Sequence, residues 1–437
     1  MKKRALSFIL LLSLLLCACS GTKGPISTSP VDSPGATPTE PSSSHQNEPS
    51  EPSGTNNGNL EYEVNKLLSR LTLEEKIGQM FFITARYNTD GKKQQAMDDA
   101  LEDLLTTYKP GGFIFFEENL DNISQTVSFI EDIQKTAEIP MFIAIDEEGG
   151  IVSRLDDAKA LHSTIMPEPY VIGITGNEKY AYEASKAIAE EVKSLGFNLN
   201  FAPVADVFSN PKNKVIGRRA YSNDPKVVSQ MVAEAIKGTY DTGVIPCIKH
   251  FPGHGDTIQD SHTGIAVVEN DIERLRQVEF LPFNAGIDAG VDFIMTAHVL
   301  TPQITDDGLP ATLSKTIITD ILRNELGFDG IIITDGLEMN AISKVYPEEE
   351  AVVMAIEAGV DMLLLPVDFP KSFDAVLSAV KRGKITEERI DQSVRRILEV
   401  KMKHIIGKEP TNLNPDEVLG SSEHKELAKR IWDEAKK

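Results

Sequence analysis

The sequence predicts a closed (β/α)₈ barrel that follows an export signal and a linker. Short apolar runs alternate with amphipathic helical patterns between residues 60 and 407. Alternating strands and helices imply a parallel sheet, and runs that are apolar throughout indicate strands covered on both faces. Eight such runs suffice to close a barrel, and about 350 residues is within the range of this fold when loops are inserted.

The predicted elements follow one another along the chain in this order. We predict strands at 80–84, 112–116, 141–146, 199–204, 247–251, 293–299, 330–335 and 362–366. We predict helices at 123–136, 177–195, 224–242, 272–289, 314–326 and 348–358. The strand runs are short and apolar, whereas the helical windows are longer and amphipathic. Residues 408–437 form a short tail with a helix near 424–435, too short for a second domain.

The N-terminus has the pattern of a bacterial export signal. Basic residues at positions 2–4 precede an apolar stretch at 5–16, which is too short to remain as a membrane span. Leu16, Ala18 and Cys19 resemble a lipobox, which makes residues 1–19 a lipoprotein signal peptide and Cys19 the lipidated N-terminus. Ordinary secretion with chance cysteines is the alternative. We therefore expect an extracytoplasmic domain that is lipid-anchored to a bacterial cell membrane.

Residues 20–59 differ in composition from the rest of the chain. Ser, Pro, Thr and Gly dominate this range, and nothing in it can build a core. We expect it to be a disordered linker that holds the barrel domain, residues 60–407, away from the membrane.

Charge and cysteine content exclude several classes of protein. The 437 residues include 44 Lys+Arg and 66 Asp+Glu, which give a formal net charge of −22. This charge argues against nucleic acid as a partner, because phosphate binding needs clustered Lys and Arg. Cys247 is the one cysteine of the predicted barrel, so that a disulfide framework is excluded there.

Polar residues collect at the C-terminal ends of the predicted strands. The set comprises Asp146, Asp206, Lys249, His250, His298 and Asp335. In barrels of this class the chemistry lies at that face, and charged residues are rarely buried without a partner. We therefore predict a functional rim.

The segment 249–262, KHFPGHGDTIQDSH, is rich in groups that carry chemistry. His250 and His254 are four residues apart, as in zinc-binding helices, but Pro252 and Gly253 between them disfavour a helix. We therefore predict that the protein needs neither a metal nor a cofactor.

Acid–base work is the second interpretation of this segment. In a loop, the carboxylate of Asp260 can accept the Nδ1 proton of His262 and leave Nε2 facing the cleft. An ordinary polar pair is the alternative.

Asp335 follows a strongly apolar strand, where a carboxylate can serve as a nucleophile or a base, or as a helix N-cap. Asp146, Arg154 and Arg219 suit a polyhydroxylated ligand, although each could belong to a surface ion pair.

Five motifs together resemble glycoside hydrolase family 3, and in particular its β-N-acetylglucosaminidase branch. They are IDEEGG at 145–150, NFAPVAD at 200–206, VIGRR at 215–219, the segment 249–262 and ITDGLEM at 333–339. The resemblance covers about residues 62–407. One departure is Glu147, where the family commonly has Gln.

The resemblance implies a retaining mechanism on a single catalytic barrel. Asp335 corresponds to the nucleophile, His262 to the general acid/base and Asp260 to its partner carboxylate. The sugar-binding positions fall on Asp146, Arg154, Arg219, Lys249 and His250. The roles of His254 and His298 stay open.

We thus expect an exo-acting, monomeric β-N-acetylglucosaminidase that removes terminal non-reducing N-acetylglucosamine from cell-wall (peptidoglycan) fragments. A β-glucosidase or another β-glycosidase on the same barrel is the nearest alternative. A non-catalytic sugar-binding lipoprotein and a metal-dependent barrel hydrolase are the others.

Overall fold

A computed structural model describes residues 55–257, 264–409 and 411–437, with side chains from residue 58 onwards. The predicted signal peptide, Cys19 and most of the predicted linker therefore lie outside the described residues. Asp260 and His262 also lie outside them.

Short parallel strands form the central sheet. Its strands are β1 Phe81–Ile83, β2 Gly112–Phe115, β3 Phe142–Ile145, β6 Leu199–Asn200, β7 Ile245–Phe251, β9 Phe293–Thr296, β11 Ile331–Ile333 and β12 Leu363–Leu364. Outside this sheet, β4 Glu147–Gly149 pairs with β5 Val152–Ser153, and β8 Ala266–Val267 pairs with β10 Val299–Leu300. The spatial order of the central sheet is β11-β9-β7-β6-β3-β2-β1-β12.

The two ends of this sheet meet and close it. Ile333 of β11 forms a parallel bridge with Met362, the residue before β12. The amide of Thr334 donates to the carbonyl of Met362 at 3.0 Å, and the amide of Met362 donates to the carbonyl of Ile332 at 3.0 Å. All eight strands are parallel, so the predicted (β/α)₈ barrel is confirmed.

Helices surround the barrel and follow it as a tail. They are α1 Thr55–Leu68, α2 Leu73–Gln79, α3 Asp99–Tyr108, α4 Ile123–Thr136, α5 Arg154–Asp157, α6 Pro169–Ile174, α7 Glu178–Ser194, α8 Pro225–Tyr240, α9 Ile272–Gln277, α10 Phe280–Asp288, α11 Asn340–Ser343, α12 Glu348–Ala358, α13 Phe369–Lys381, α14 Glu387–His404, α15 Pro415–Val418 and α16 Ser422–Glu434. A π-type helix spans Thr316–Glu325. Side-chain caps start many of them: Asn122 begins α4, and Asp224 begins α8 with Pro225 in its first turn.

The structure differs from the predicted elements at two prolines. The predicted helix 272–289 is broken between α9 and α10, because Pro282 has no amide proton and its ring would clash with the carbonyl of Val278. The predicted strand 199–204 is shorter, because Pro203 cannot donate to the sheet. The helix predicted near 424–435 is confirmed as α16. α1 begins at Thr55, within the range 20–59 that we predict as linker.

Aromatic side chains and one lysine fill the interior of the barrel. Phe82 and Phe201 lie 5.4 Å apart between ring centroids, and Phe142 meets Phe293 edge-on at 5.0 Å. Full burial of one such ring contributes about 1.5–3 kcal/mol. Buried Lys401 donates to the side-chain oxygen of Gln79, ahead of β1, and burial lowers its pKa to about 7.

Across the described ranges, the structure shows no helix with the length and apolar character that crossing a bilayer requires.

Candidate active site

A pocket opens at the C-terminal ends of the barrel strands. Its volume is about 320 Å³, the size of a small-molecule site. It is lined by Asp146 after β3, by Lys249 and His250 of β7, and by Asp335 after β11. Arg154, Arg219 and His254 complete its polar wall. The structure thus brings together every described residue that the sequence predicts for the site.

A buried charge network forms one wall of this pocket. The ammonium of Lys249 donates to Asp146 at 2.7 Å and contacts Glu148 at 2.7 Å. Arg219 donates two hydrogen bonds to the Glu148 carboxylate, from Nε at 2.9 Å and from a terminal nitrogen at 2.8 Å. The side chain of Glu148 is 1% exposed. Glu148 therefore holds two cations in the positions from which they face the pocket.

Electrostatics keep these buried groups charged. Burial alone would raise the pKa of the Glu148 carboxyl, but Arg219 and Lys249 outweigh it and hold the pKa far below its usual range. Burial would lower the pKa of Lys249, but Asp146 and Glu148 raise it above its usual value. Arg219 also stays protonated, because Glu148 offsets its desolvation. The pocket thus presents cationic donors whose side chains are themselves largely buried.

Asp206 organises the two histidines of the Lys249–His254 region. It is fully buried, and its Oδ2 accepts from Nδ1 of His250 at 2.7 Å. Its Oδ1 accepts from the backbone amide of His254 at 2.6 Å. Burial lowers the pKa of His254, whose ring hydrogen-bonds to Thr257 at 2.7 Å. A carboxylate only accepts, so Asp206 fixes which nitrogen of His250 carries a proton.

Asp335 lies at the end of β11, on the floor of the pocket. Burial raises its pKa, but the imidazoles of His298 and His250, the amide of Gly336 and the charge of Lys249 together bring the pKa below its usual value. The amide of Gly336 donates to its Oδ1 at 2.8 Å. Nε2 of His298 donates to the carbonyl of Gly336 at 3.0 Å. His298 therefore stabilises the turn that carries the Asp335 carboxylate.

Two further arginines, Arg154 and Arg86, line the pocket near the ring of Phe116. A terminal nitrogen of Arg154 lies 3.8 Å from Asp146, and its Nε is buried with no hydrogen-bond partner among the described residues. At the mouth, Arg86 lies 3.9 Å from the ring centroid of Phe116 and pairs with Glu338 at 2.5 Å. The Arg154 side chain is 28% exposed and lines the pocket, so its guanidinium can contact a bound molecule.

Glu147, the departure from the family pattern, faces away from the charge network. Its carboxylate accepts from the amide of Leu155 at 3.0 Å and interacts with Ser153. Burial, aided by the charge of Glu191, raises its pKa to about 8. Glu147 therefore adds no full negative charge beside the predicted sugar-binding positions at neutral pH.

Several contributors to the site were not assigned a role from the sequence. Glu148 stands in the IDEEGG motif, and Asp206 ends the NFAPVAD motif. Their position next to predicted site residues was the available signal. Glu338 likewise stands in the ITDGLEM motif, whereas Arg86 and Phe116 come from loops outside the five motifs and carried no such signal. Within the described ranges, no three His, Cys, Asp or Glu side chains are grouped as a metal ion would require.

Comparison with known proteins identifies the family. The glycosyl hydrolase family 3 N-terminal domain matches residues 72–400. The chain belongs to glycoside hydrolase family 3. Beta-hexosaminidase A from Pseudoalteromonas piscicida is 35% identical over 370 residues, which are 76% of this chain and 61% of that protein. This chain thus spans about three fifths of the length of that relative.

Two further proteins that are similar to this family 3 chain are a beta-hexosaminidase and a beta-N-acetylglucosaminidase. Beta-hexosaminidase from Stenotrophomonas maltophilia (strain K279a) is 35% identical over 280 residues, which are 62% of this chain and 79% of that protein. A solved structure of a glycoside hydrolase family 3 beta-N-acetylglucosaminidase from Paenibacillus sp. str. FPU-7 is similar, with 40% identity and a TM-score of 0.78. The match covers 84% of this chain and 69% of that one.

Proposed function

We propose that the protein is a retaining exo-β-N-acetylglucosaminidase. The observation that carries the proposal is the Asp335 carboxylate, ionised on the floor of a pocket whose wall presents Lys249, Arg219 and Arg154. A carboxylate below an array of fixed donors suits attack on a sugar whose hydroxyl and acetamido groups those donors hold. The similarity to beta-hexosaminidases of family 3 supports the amino sugar as the substrate.

The reaction proceeds in two balanced steps. Asp335 attacks the anomeric carbon and forms a glycosyl ester, while protonated His262 gives its proton to the leaving glycosidic oxygen. Neutral His262 then takes a proton from water, whose oxygen attacks the anomeric carbon and releases Asp335. Asp260 orients the imidazole. The roles of His262 and Asp260 rest on the sequence resemblance, because both residues lie outside the described ranges.

The described residues prepare the first step. The lowered pKa of Asp335 keeps it in the ionised, nucleophilic form. Lys249 and Asp146, joined at 2.7 Å, offer a donor and an acceptor to neighbouring sugar hydroxyls. Arg154, whose side chain is 28% exposed in the pocket lining, offers a further cationic donor.

The natural substrate and the location form a further part of the proposal. We propose terminal N-acetylglucosamine on peptidoglycan fragments as the substrate, and a monomer anchored through lipid on Cys19 at the outer face of the membrane. The lipobox-like residues and the Ser/Pro-rich range 20–59 support the anchor. Full-length protein expressed in a bacterium should fractionate with membranes, and Cys19→Ser should move it to the soluble fraction. Equal fractionation of both would contradict the anchor.

A panel of aryl β-glycosides tests the activity. We expect the aryl N-acetylglucosaminide to be hydrolysed with a kcat/KM well above that of the matching glucoside, and with no loss of rate in a chelator. A preference for the glucoside would overturn the amino sugar assignment in favour of a β-glucosidase. Tight sugar binding without turnover would favour a non-catalytic binding protein instead.

A further inference from the structure

One buried carboxylate joins the C-terminal tail to the loop that carries Arg154. We call residues 154–168 the Arg154 loop and residues 414–434 the tail segment. Glu191 of α7, 3% exposed, accepts from the amide of Thr164 in the Arg154 loop at 3.0 Å. It also accepts from the amide of Gly420 at 3.1 Å and from Nδ1 of His424 at 2.9 Å, both in the tail segment.

The contact between tail and loop is also direct. A Cβ on Gly420, whose φ is +59°, would lie 2.1 Å from the carbonyl oxygen of His162 in the Arg154 loop. This separation is far below a real contact, so the two backbones already touch and only glycine fits. Gly407 has a similar φ of +71° but a Cβ there would meet nothing within 4 Å. Replacing Gly407 by alanine is therefore a control for the backbone strain that a side chain causes at a positive φ.

The Arg154 loop is held at its start by the barrel itself. Glu147 accepts from the amide of Leu155 at 3.0 Å, and Ser153 accepts from the amide of Asp156 at 3.0 Å. At the far end of the Arg154 loop, the carbonyl of Met166 accepts a hydrogen bond from the amide of Gly150 at 3.0 Å. The middle of the loop, by contrast, is fastened by Glu191 and by the tail segment.

Charge balance explains why the tail supplies a histidine at this point. Glu191 is buried and close enough to Glu147 for its charge to act on that carboxyl. Nε2 of His424 lies 3.1 Å from Glu190, so the imidazolium stands between two carboxylates of α7. A buried carboxylate needs such a partner to remain in place.

We propose that the tail segment is a positioning element for the sugar site, which holds the Arg154 loop so that Arg154 stays next to Asp146 in the pocket lining. Gly420, His424 and Glu191 are then positioning residues, since they act through the loop and do not line the pocket. The inference rests on the proposed function, in which Arg154 binds the sugar. Releasing the tail weakens ground-state and transition-state binding alike, so it raises KM more than it lowers kcat.

The decisive comparison is Gly420→Ala against Gly407→Ala in the full chain. Both variants strain a positive φ, but only the first pushes the tail from the loop. With an aryl β-N-acetylglucosaminide we expect Gly420→Ala to raise KM about 5-fold, the size of one weakened hydrogen bond, with kcat within about 2-fold. We expect wild-type values for Gly407→Ala. Equal KM in both folded variants would overturn the proposal.

A second readout follows the loop itself. Lys159 lies in the Arg154 loop with a side chain that is 77% exposed, so trypsin can cleave there once the loop opens. Mass spectrometry should show faster cleavage after Lys159 in Gly420→Ala than in Gly407→Ala. Should Gly420→Ala not fold, His424→Gln takes its place in both assays, and unchanged KM and cleavage in that variant contradict the proposal.

The two assays separate this inference from the proposed function. If the wild-type enzyme leaves the aryl N-acetylglucosaminide intact, the proposed function fails, and cleavage after Lys159 still decides whether the tail holds the loop. If the wild type is active and the cleavage rates of the two glycine variants are equal, the tail's role fails and the proposed function stands.

Discussion

Replacing Glu148 by Gln tests whether the buried charge network holds the site together. The change keeps the shape of the side chain but removes the charge that Lys249 and Arg219 share, and both cations remain buried, at 3% and 13% exposure. Breaking one partner of a buried pair costs about 3–5 kcal/mol, because a charge is left uncompensated. A domain of this length has an unfolding entropy of about 0.8 kcal/mol/K, so we expect the Tm to fall by about 4–6 °C.

Glu325→Gln is the matched control. Glu325 also accepts two hydrogen bonds from one arginine, Arg276, at 2.6 and 2.9 Å. The side chains of Glu325 and Arg276 are, however, 34% and 43% exposed. Solvent screens an exposed pair, which therefore contributes little, so the Tm of Glu325→Gln should fall by no more than about 1 °C.

The direction of the Glu148 pKa shift determines how its contribution to stability depends on pH. The pKa of Glu148 is lowered in the folded protein, so its contribution is complete above the unfolded value of 4.5 and is lost as the pH falls below it. Calorimetry at several pH values should therefore show the difference between the wild type and Glu148→Gln shrinking below about pH 4.5. Equal Tm losses in Glu148→Gln and Glu325→Gln would refute the role of burial in this network.

Three further variants test other parts of the site. Glu147→Gln should be more stable than the wild type by an amount that grows from pH 4.5 to about pH 8, because the wild-type carboxyl keeps a proton that the unfolded chain releases; a pH-independent Tm difference would contradict this. Hydrogen bonds to Glu190 and Glu191 outweigh burial and raise the pKa of His424 to about 9. The stability that the wild type gains over His424→Gln should thus be complete below pH 6.5 and vanish above about pH 9, and a gain that persists there would count against the pairing. Asp206→Asn should lower kcat/KM about 10- to 100-fold, because His250 loses a charge-assisted hydrogen bond; unchanged kinetics in the folded variant would show that Asp206 does not orient it.

Local patterns were sufficient to predict the barrel. Each predicted strand overlaps one strand of the closed sheet, because apolar runs bounded by polar residues leave few alternatives in a doubly covered sheet. Two of the differences come from single prolines. Pro203 shortens β6 and Pro282 divides α9 from α10, effects that a hydrophobic pattern does not register.

Asp146, directly after β3, and Asp335, two residues after β11, were predictable as pocket residues from their place at strand ends. Glu148 was harder, because three acidic residues stand in a row and only the structure shows that Glu148 meets Lys249 and Arg219 while Glu147 turns away. The contact between Glu191 and His424 joins residues 233 positions apart, and no periodicity in the sequence indicates such a pairing.

The turnover of an aryl β-N-acetylglucosaminide by Asp335→Ala is the most direct test of the central claim. Asp320, an exposed carboxylate, provides the control variant Asp320→Ala. If Asp335 is the nucleophile, kcat should fall by at least about 10⁴-fold in Asp335→Ala, with both variants retaining a wild-type circular dichroism spectrum. Turnover near the wild-type rate in folded Asp335→Ala would contradict the mechanism proposed for this family 3 protein.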